Sequence, residues 1–275
     1  MTPTLLPLRG SRIRLYFSGR NGANKSHIGW AVVDLREPLH VIEHSVEPVL
    51  APGPLGCFDD NGVTPSSIVV DGSETLLYYI GWNPGSTVRM HLFGGLAISR
   101  DGGRSFERWS NAPIIERSRA NPYLNTAPFV LKEGESWRMY YVSGTEWRNP
   151  DLPRYNIQIA ESSDGRNWRR EGRVAIPFRN DSENALARPF VLKEDGVYKM
   201  WFAHKGDAYR MGYAESLDGF DWVRDDVFGG LEVTPGGFDA EMVEYFVVIS
   251  YAGRKFMFYN GDDYGRHGVG VAVEE

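Results

Sequence analysis

A short aromatic motif recurs five times along the chain at a nearly constant spacing. Each copy has an aliphatic residue, two aromatic residues and a small or polar residue where the segment ends. The aromatic pairs begin at Tyr16, Tyr78, Tyr140, Trp201 and Phe258, so the successive steps are 62, 62, 61 and 57 residues. A period of this size is typical of a repeat protein whose units pack against their neighbours.

Each motif lies between two further segments with strand character. A short apolar segment precedes it and in four units begins with proline, which is tolerated at the first residue of a strand and ends a helix. A segment with a small residue at matched register follows it, around Ala31, Ala97, Ala160, Ala214 and Ala272. The sequence therefore predicts three antiparallel strands in every unit.

Three units continue into a turn of the form Ser-x-Asp-Gly that leads to an aromatic residue. These turns occupy Ser99–Phe106, Ser162–Trp168 and Ser216–Trp222. Asp-Gly turns suit hairpins because glycine accepts a positive φ and aspartate caps its own backbone. We interpret the turns as structural, with the aromatic residue wedged between sheets at the start of a fourth, outer strand.

These observations predict an all-β fold, a five-bladed β-propeller with four-stranded antiparallel blades that forms a single domain over residues 1–275. The predicted blades span approximately residues 3–50, 60–115, 124–178, 185–235 and 243–275. The last blade ends at its third strand, which leaves open how the ring closes.

Charge and composition limit the partners of such a fold. The formal net charge of −6 argues against nucleic acid and anionic membranes, which need clustered Lys and Arg, and favours a neutral or cationic ligand. The single cysteine, Cys57, excludes an internal disulfide framework and is expected to be half-buried. No apolar run approaches ~18 residues and no secretory h-region is present, so we expect a cytoplasmic protein without a membrane span. The oligomeric state stays open.

Carboxylates lie just before the first strands of three blades. In a propeller the first strands line the central channel, so the residues that lead into them converge on one face of the ring. Asp59 is favoured as the nucleophile or base, and Asp60 is its close alternative. Glu183 or Glu241 is the candidate general acid, with Glu244 behind them. One ionised and one protonated carboxyl group are what cleavage of a glycosidic bond requires.

Other polar side chains near these positions are candidate substrate ligands. The guanidinium of Arg188 suits a sugar hydroxyl or carboxylate, or a salt bridge to Glu183 or Asp181. Aromatic faces beside hydrogen-bonding groups suit a sugar ring. The candidate substrate-binding residues are Asp60, Asn125, Arg188, His204, Lys205, Arg210, Asp239 and Glu244; a second polar set after the aromatic strands includes Trp82, Trp147, Tyr209, Asn260 and Tyr264.

No cofactor is predicted. The six histidines lack metal-ligand spacing, there is no paired cysteine motif, and the glycine pairs lack the strand-to-helix setting of a phosphate-binding loop. The sequence leaves open an oxygen-liganded Ca²⁺ in the central channel.

The chain resembles the five-bladed propeller glycosidases, the superfamily of invertases, levansucrases, arabinanases, xylosidases and mannoside phosphorylases, and looks most like its uncharacterised bacterial members. The likeness rests on the repeat over nearly the whole chain, on FDDNGV leading into PSSIVV, on ENALARP, and on FDAEMVEY followed by MFYNG. It implies an acidic triad from separate blades, which we carry only onto Asp59, Glu183 and Glu241. The first blade lacks the acidic residue that arabinanase-like and invertase-like members place there.

Three functions are consistent with these patterns. The first is a glycoside hydrolase or transglycosylase acting on a mono- or oligosaccharide or a glycoconjugate by carboxylate acid/base chemistry. The second is an inverting glycoside phosphorylase, favoured by the basic set His204, Lys205, Arg210, Arg266 and His267. The third is a sugar-binding propeller without catalysis, favoured by the missing acidic residue in the first blade.

Overall fold

The structure, a computed structural model, describes residues 2–274. Within that range the chain forms five successive antiparallel units, four with four strands and the last with three. The first two units contain β1 (Thr4–Pro7), β2 (Arg12–Arg20), β3 (Ser26–Asp34), β4 (Glu37–His44), β5 (Gly62–Asp71), β6 (Glu74–Pro84), β7 (Met90–Ser99) and β8 (Glu107–Arg108).

The remaining units repeat the same order. They contain β9 (Asn125–Glu133), β10 (Ser136–Asn149), β11 (Leu152–Ser162), β12 (Arg169–Ile176), β13 (Ala185–Glu194), β14 (Val197–Lys205), β15 (Tyr209–Ser216), β16 (Val223–Arg224), β17 (Glu244–Tyr251), β18 (Arg254–Asn260) and β19 (Gly270–Val273). A short 3-10 helix at Asp226–Gly229 and a turn at Asp262–Gly265 are the helical elements of this part of the chain. The predicted all-β class is confirmed.

Three of the four prolines expected at strand starts lie inside the strands instead, whereas Pro3 directly precedes β1. β5, β9 and β13 begin three or four residues earlier, and the register of each pairing shifts near the proline. At the matching position Ala127, Arg188 and Tyr245 adopt positive φ values of 49°, 50° and 61°. A β-bulge explains both observations, because bulges accept proline and re-aim the neighbouring side chains. The prediction that proline opens these strands is therefore wrong.

The first tyrosine of the aromatic pair fastens each of the first three units to the next one. Its hydroxyl donates a hydrogen bond to a carbonyl in the Ser-x-Asp-Gly turn of the following unit, and its ring meets the aromatic residue of that turn edge to face. The hydrogen bonds are Tyr16 to Gly103 at 2.6 Å, Tyr78 to Gly165 at 2.7 Å and Tyr140 to Gly219 at 2.7 Å. The aromatic partners are Phe106, Trp168 and Trp222. The structural interpretation of these turns is confirmed.

Hydrophobic clusters fill the spaces between neighbouring units. Separate clusters join units one and two, two and three, three and four, and four and five. A further cluster packs Ile13 and Leu15 of the first unit with Phe256 and Phe258 of the last. Cys57 is half-buried, as predicted. None of the helices among residues 2–274 has the length and hydropathy needed to cross a membrane.

Candidate functional site

The first strands of three units meet at the guanidinium of Arg188. This residue lies at the bulge of β13. Its Nη1 donates to the carbonyl of Pro65 at 2.8 Å and its Nη2 donates to the carbonyl of Pro3 at 2.7 Å. The side chain is buried, and burial lowers the pKa of Arg188 to about 10. Neither predicted salt bridge is present among the described residues. The guanidinium is enclosed and bonded to main-chain carbonyls, and its role as a sugar ligand stays a prediction.

Glu244 is the buried carboxyl group of this central region. It begins β17, directly before the bulge residue Tyr245, and is 0% exposed. Neither carboxylate oxygen makes a hydrogen bond of standard geometry within the described part of the chain, although the side chains of Tyr245 and Asn260 lie close enough to stabilise its ionised form. Burial raises the pKa of Glu244 to about 8, although Tyr245, Asn260 and Lys205 favour the ionised form. The group is therefore largely protonated at neutral pH, as a general acid must be.

Four tyrosines lie together beside Glu244, and we call them the tyrosine cluster: Tyr155, Tyr209, Tyr245 and Tyr264. The hydroxyl oxygens of Tyr155 and Tyr209 are 2.7 Å apart. The ring centroid of Tyr209 lies 6.0 Å from that of Tyr245 and 6.3 Å from that of Tyr264. The cluster extends from the buried Tyr209 to Tyr264, which is 48% exposed. Such a surface can pack against the apolar face of a sugar ring.

Lys205 borders the tyrosine cluster. Its Nζ lies 5.2 Å from the ring centroid of Tyr209, and its charge acts on Glu244. Among residues 2–274 no carboxylate forms an ion pair with this ammonium group. Lys205 therefore stays a candidate ligand for a polar substrate.

Tyr155 is not among the site residues predicted from the sequence. This residue lies five positions before Ala160 on β11, and Tyr209 lies five positions before Ala214 on β15. Equal register in adjacent units places the two tyrosines at the same end of their strands. Alignment of the repeats by their small residues would have found the pair.

Asp59, the predicted nucleophile or base, is an enclosed anchor of the second unit. It is 0% exposed, and its Oδ2 accepts hydrogen bonds from Arg108 Nε at 2.8 Å and from the Tyr79 hydroxyl at 3.0 Å. Gly53 packs so closely on the carboxylate that a side chain there would collide with it. An ion pair thus holds this carboxylate inside the fold, and its role as nucleophile or base stays a prediction. The alternative, Asp60, is half-buried and accepts the Gly56 amide of the same turn at 2.8 Å.

Asp239, a predicted substrate ligand, is the corresponding anchor of the fifth unit. It is 1% exposed and accepts a hydrogen bond from the Tyr259 hydroxyl at 2.8 Å, and its contact with a substrate stays a prediction. The third unit has Asn121 in this place, bonded to the Tyr141 hydroxyl at 3.1 Å. Asn125 is buried beside it and donates to the Asn121 carbonyl at 3.0 Å. Its role in substrate binding stays a prediction.

Glu183, a predicted general acid, is paired with Arg224. Its Oε2 accepts from Nη1 at 3.0 Å and its Oε1 accepts from Nη2 at 2.7 Å. Burial opposes ionisation, but His204, Arg224 and the Arg179 amide outweigh it and lower the pKa of Glu183 to about 2. Ionisation at neutral pH and the pairing with Arg224 do not favour proton donation, and the role of Glu183 as general acid stays a prediction. His204 lies 3.3 Å from Glu183 and 3.5 Å from Asp226, and belongs to the same network.

Glu241 is the exposed member of the predicted triad. Its main-chain amide donates to Asp262 Oδ1 at 2.9 Å, and its carbonyl accepts from Arg210 Nη1 at 2.7 Å. The structure thus brings Glu241 and Arg210 together, but through the main chain. Among residues 2–274 no hydrogen bond or ion pair joins any two of Asp59, Glu183 and Glu241. Residues 2–274 contain no group of three His, Cys, Asp or Glu side chains arranged to hold a metal ion.

The fold matches solved glycoside hydrolases over almost the whole chain. A glycoside hydrolase superimposes with a TM-score of 0.79 at 19% identity over 99% of this chain and 86% of its own. A thermostable family-43 glycoside hydrolase gives a TM-score of 0.71 at 17% identity over 99% and 88%. The Bombyx mori GH32 beta-fructofuranosidase BmSUC1 gives 0.70 at 17% identity over 94% of this chain and 54% of its own.

Sequence comparison gives a nearer relationship. No protein-family model matches the chain. The protein is 40% identical over 269 residues to Uncharacterized protein Rv1502 of Mycobacterium tuberculosis strain H37Rv. The alignment covers 98% of this chain and 90% of the relative. Uncharacterized protein MT1551 of strain CDC 1551 matches with the same identity and coverage. The chain therefore belongs to the family of the mycobacterial protein Rv1502, and its fold is that of the β-propeller glycosidases.

Proposed function

We propose that the chain is a carbohydrate-active enzyme that hydrolyses or transfers a glycosyl unit at the centre of a closed five-bladed ring. Residues 1–275 then form one domain, and the first strands of the five units line its channel. Two observations support the ring. A hydrophobic cluster packs the fifth unit on the first, and Arg188 of the fourth unit bonds to the first strands of units one and two.

The observation that supports catalysis is the state of Glu244. Its carboxyl group is enclosed at the centre, makes no hydrogen bond of standard geometry among the described residues, and has a pKa raised by burial to about 8. A protonated carboxyl group of this kind donates its proton to the leaving oxygen of a glycosidic bond. The tyrosine cluster beside it offers the sugar an apolar face and hydroxyl groups. We assign Glu244 as the general acid.

The reaction also needs an ionised carboxylate that acts as a base or a nucleophile. Glu241 is three residues before Glu244 and is exposed at the same approach to β17. Within residues 2–274 its carboxylate is free of ion pairs, unlike those of Asp59 and Glu183. We assign this role to Glu241, and Lys205 orients the substrate.

The test is turnover of a panel of aryl glycosides by Glu244→Gln, which keeps the shape and removes the proton. We expect a loss of about 100-fold or more on any substrate that the parent protein cleaves. Parent activity should also fall as the pH rises through about 8, because Glu244 then loses its proton. Glu232→Gln, at an exposed position, is the matched control. Equal turnover by Glu244→Gln and the parent protein would rule out this assignment.

Phosphorolysis is the second candidate, because an inverting phosphorylase needs one carboxylic acid and a cationic site for phosphate. Glu244 is the lone buried carboxyl group beside the tyrosine cluster, and Lys205 is a cation there without an ion pair among the described residues. Of the other members of the predicted basic set, His204 and Arg210 are engaged elsewhere and Arg266 pairs with Asp263 at 3.7 Å. Turnover that needs inorganic phosphate and falls in Lys205→Met favours this candidate. Turnover without phosphate favours hydrolysis or transfer.

A sugar-binding propeller without catalysis is the third candidate. Among the described residues, Glu244 is the one buried carboxyl group beside the tyrosine cluster, whereas acid/base hydrolysis uses two carboxyl groups, and this observation favours binding alone. Titration of the protein with the panel glycosides, followed by its intrinsic fluorescence, separates the two cases. Saturable binding without product between pH 5 and pH 9 would support the binding function.

A further inference from the structure

The second, third and fourth units share a fourth-strand pattern in which an aromatic residue is followed two positions later by arginine. The pairs are Phe106 with Arg108, Trp168 with Arg170 and Trp222 with Arg224. Each aromatic ring packs against the first tyrosine of the preceding unit. Each arginine lies opposite the small residue of the third strand, at Ala97, Ala160 and Ala214. The fourth strand therefore delivers one ring and one cation to fixed positions.

The fifth unit has the receiving positions, but residues 2–274 supply no fourth strand to fill them. β19 pairs with β18 and forms the open edge of its sheet within the described residues. The N-terminal strand does not cover that edge, because β1 pairs with β2 in the first unit. Ala272 on β19 lies opposite Met257, as Ala97 lies opposite Leu77 in the second unit. The register of the third strand is thus preserved where the fourth strand is missing.

A cavity of about 250 Å³ lies where the aromatic residue would pack. Its wall includes Trp201, which begins the aromatic pair of the fourth unit and corresponds to the tyrosines that hold Phe106, Trp168 and Trp222. Ala272, Met257 and Val248 of the fifth unit form the facing wall, and Tyr213 lies beside Trp201. The cavity is therefore the fourth copy of an aromatic slot whose other three copies are filled from within the chain.

The buried anchor of the fifth unit lacks the cation that its counterpart has. Asp59 pairs with Arg108 and Tyr79, whereas Asp239 bonds to Tyr259 and, at 3.3 Å, to Thr234. Phe58 and Phe238 precede the two aspartates and pack on equivalent glycines. Asp239 is 1% exposed, and its Oδ1 has no partner among the described residues. A buried carboxylate without a cation favours the approach of one.

We propose that this edge is a docking site for an extended segment of a partner protein, which adds to β19 as the fourth strand of the fifth unit. The segment carries an aromatic residue that fills the cavity and, two positions later, an arginine that pairs with Asp239. Strand addition supplies the main-chain hydrogen bonds, and the two side chains supply the specificity. The site is independent of the proposed catalysis at Glu244.

The probe is a fluorescein-labelled peptide with the sequence of residues 99–110, SRDGGRSFERWS, added to the full-length protein. This sequence is chosen because Arg108 already pairs with the counterpart of Asp239. We expect saturable binding by fluorescence anisotropy. Peptides with the changes equivalent to Phe106→Ala or Arg108→Ala should bind at least about tenfold more weakly, since each loses one anchor. Absence of binding at ~1 mM peptide, or equal binding of all three peptides, would overturn the proposal.

Two protein variants locate the site. Ala272→Phe fills the cavity from within, so it should abolish peptide binding while the melting temperature stays the same or rises. Val46→Phe, at a position 88% exposed, is the matched control and should bind like the parent. Unchanged binding by Ala272→Phe would refute the location.

Asp239→Asn tests the cation. In this variant, replacing the peptide arginine by alanine should no longer weaken binding. The protein change and the peptide change remove the same interaction. A penalty as large as in the parent protein would refute the pairing. Sedimentation velocity of the protein alone should show a monomer, and a dimer that the peptide dissociates would overturn the partner protein in favour of a second copy. If Asp239→Asn does not fold, Ala272→Phe and the peptide variants decide the matter.

Discussion

Buried carboxylates in this protein fall into two chemical states. Asp59 and Glu183 lie beside arginines and accept two or more hydrogen bonds, which compensate the loss of hydration. Glu244 is equally buried, but its carboxylate makes no hydrogen bond of standard geometry within the described residues. Burial without compensation favours the neutral acid. The first two groups therefore hold the fold together, and the third is available for proton transfer.

Removal of the cation beside Asp59 should be strongly destabilising. Arg108→Met leaves a fully buried carboxylate without its ion pair, and we expect a loss of about 3 kcal/mol in the free energy of unfolding. Arg100→Met is the matched control, because Arg100 is 68% exposed in its pair with Glu74 and such pairs contribute about 0–1 kcal/mol. Urea denaturation of the three proteins measures both values. Equal losses in the two variants would contradict the structural role of Asp59.

Glu244 should make the protein less stable as the pH rises. Its pKa is about 8 in the folded protein and 4.5 is the ordinary value, so between these pH values the unfolded chain releases a proton that the folded protein retains. This contribution to stability is complete below pH 4.5 and declines by about 1.4 kcal/mol for each pH unit up to about pH 8. Above that pH it no longer changes. Glu244→Gln lacks this term.

The measurement for Glu244 is the melting temperature of the parent and Glu244→Gln from pH 5 to pH 9. The melting temperature of the variant should rise relative to that of the parent as the pH increases to about 8. A constant difference across the range would show that Glu244 titrates at its ordinary pKa.

At the scale of elements, the two residues of each aromatic pair do different work. The first one reaches sideways to the next unit, as Tyr78 does to Gly165. The second one bonds to the loop that leads into its own unit, as Tyr79 does to Asp59 and Tyr259 does to Asp239. The fourth unit has Phe202 at the second position, and there Arg224 lies 5.1 Å over the ring. Adjacent residues of a strand point to opposite faces, which separates the two functions.

The sideways hydrogen bond can be removed at one site. Tyr78→Phe leaves the Gly165 carbonyl without its donor in a buried position, and we expect a loss of about 1–2 kcal/mol in the free energy of unfolding. Tyr123→Phe is the matched control, because Tyr123 is 37% exposed, and it should change stability by no more than about 0.5 kcal/mol. Urea denaturation tests both. A loss below 0.5 kcal/mol for Tyr78→Phe would show that the hydroxyl does not fasten the units.

At the scale of the whole molecule, the contact between the last unit and the first decides how the repeat behaves. The cluster around Phe256, Phe258, Ile13 and Leu15 is an apolar contact without strand pairing between the two units. A closed ring couples every unit to two neighbours, whereas an open array couples its end units to one. The stability of the first unit therefore depends on residues more than two hundred positions away in the chain.

Phe258→Ala tests this coupling. Loss of a ring that is 2% exposed should cost about 3–5 kcal/mol in the free energy of unfolding. Hydrogen exchange should then accelerate in β2 and β3 as well as in β17 to β19, because both sides of the cluster lose contacts. Met139→Ala, at the interface of units two and three, is the matched control. Faster exchange in the fifth unit alone would contradict the closed ring.

Much of the architecture could be predicted from the sequence because it depends on local patterns. The aromatic pairs, the small residues and the Asp-Gly turns have fixed spacings, and the strands and wedges follow from them. The strand starts were missed because a β-bulge accepts proline inside a strand, and β5 and β9 show this at Pro65 and Pro128. Local propensity does not distinguish a bulge from a strand start.

The candidate site was harder to predict because the charge state of a carboxyl group is set by its surroundings. Asp59, Glu183 and Glu244 have the same chemistry in the sequence and similar positions before or at a first strand. Arginines that arrive from fourth strands, Arg108 and Arg224, pair with the first two. Among the described residues, no arginine forms an ion pair with Glu244. Distant partners decide which group is ionised, and spacing along the chain does not reveal them.

The sequence by itself determined the five-fold repeat, the all-β class and the absence of a complete fourth strand in the last unit within residues 2–274. Each of these depends on periodicity, turn chemistry or strand count, which are properties of neighbouring residues. The tertiary structure alone decided that burial outweighs the groups that favour ionised Glu244 and that, among the described residues, no arginine pairs with Asp239. Both depend on which strands meet across the molecule, because desolvation and ion pairing act through space.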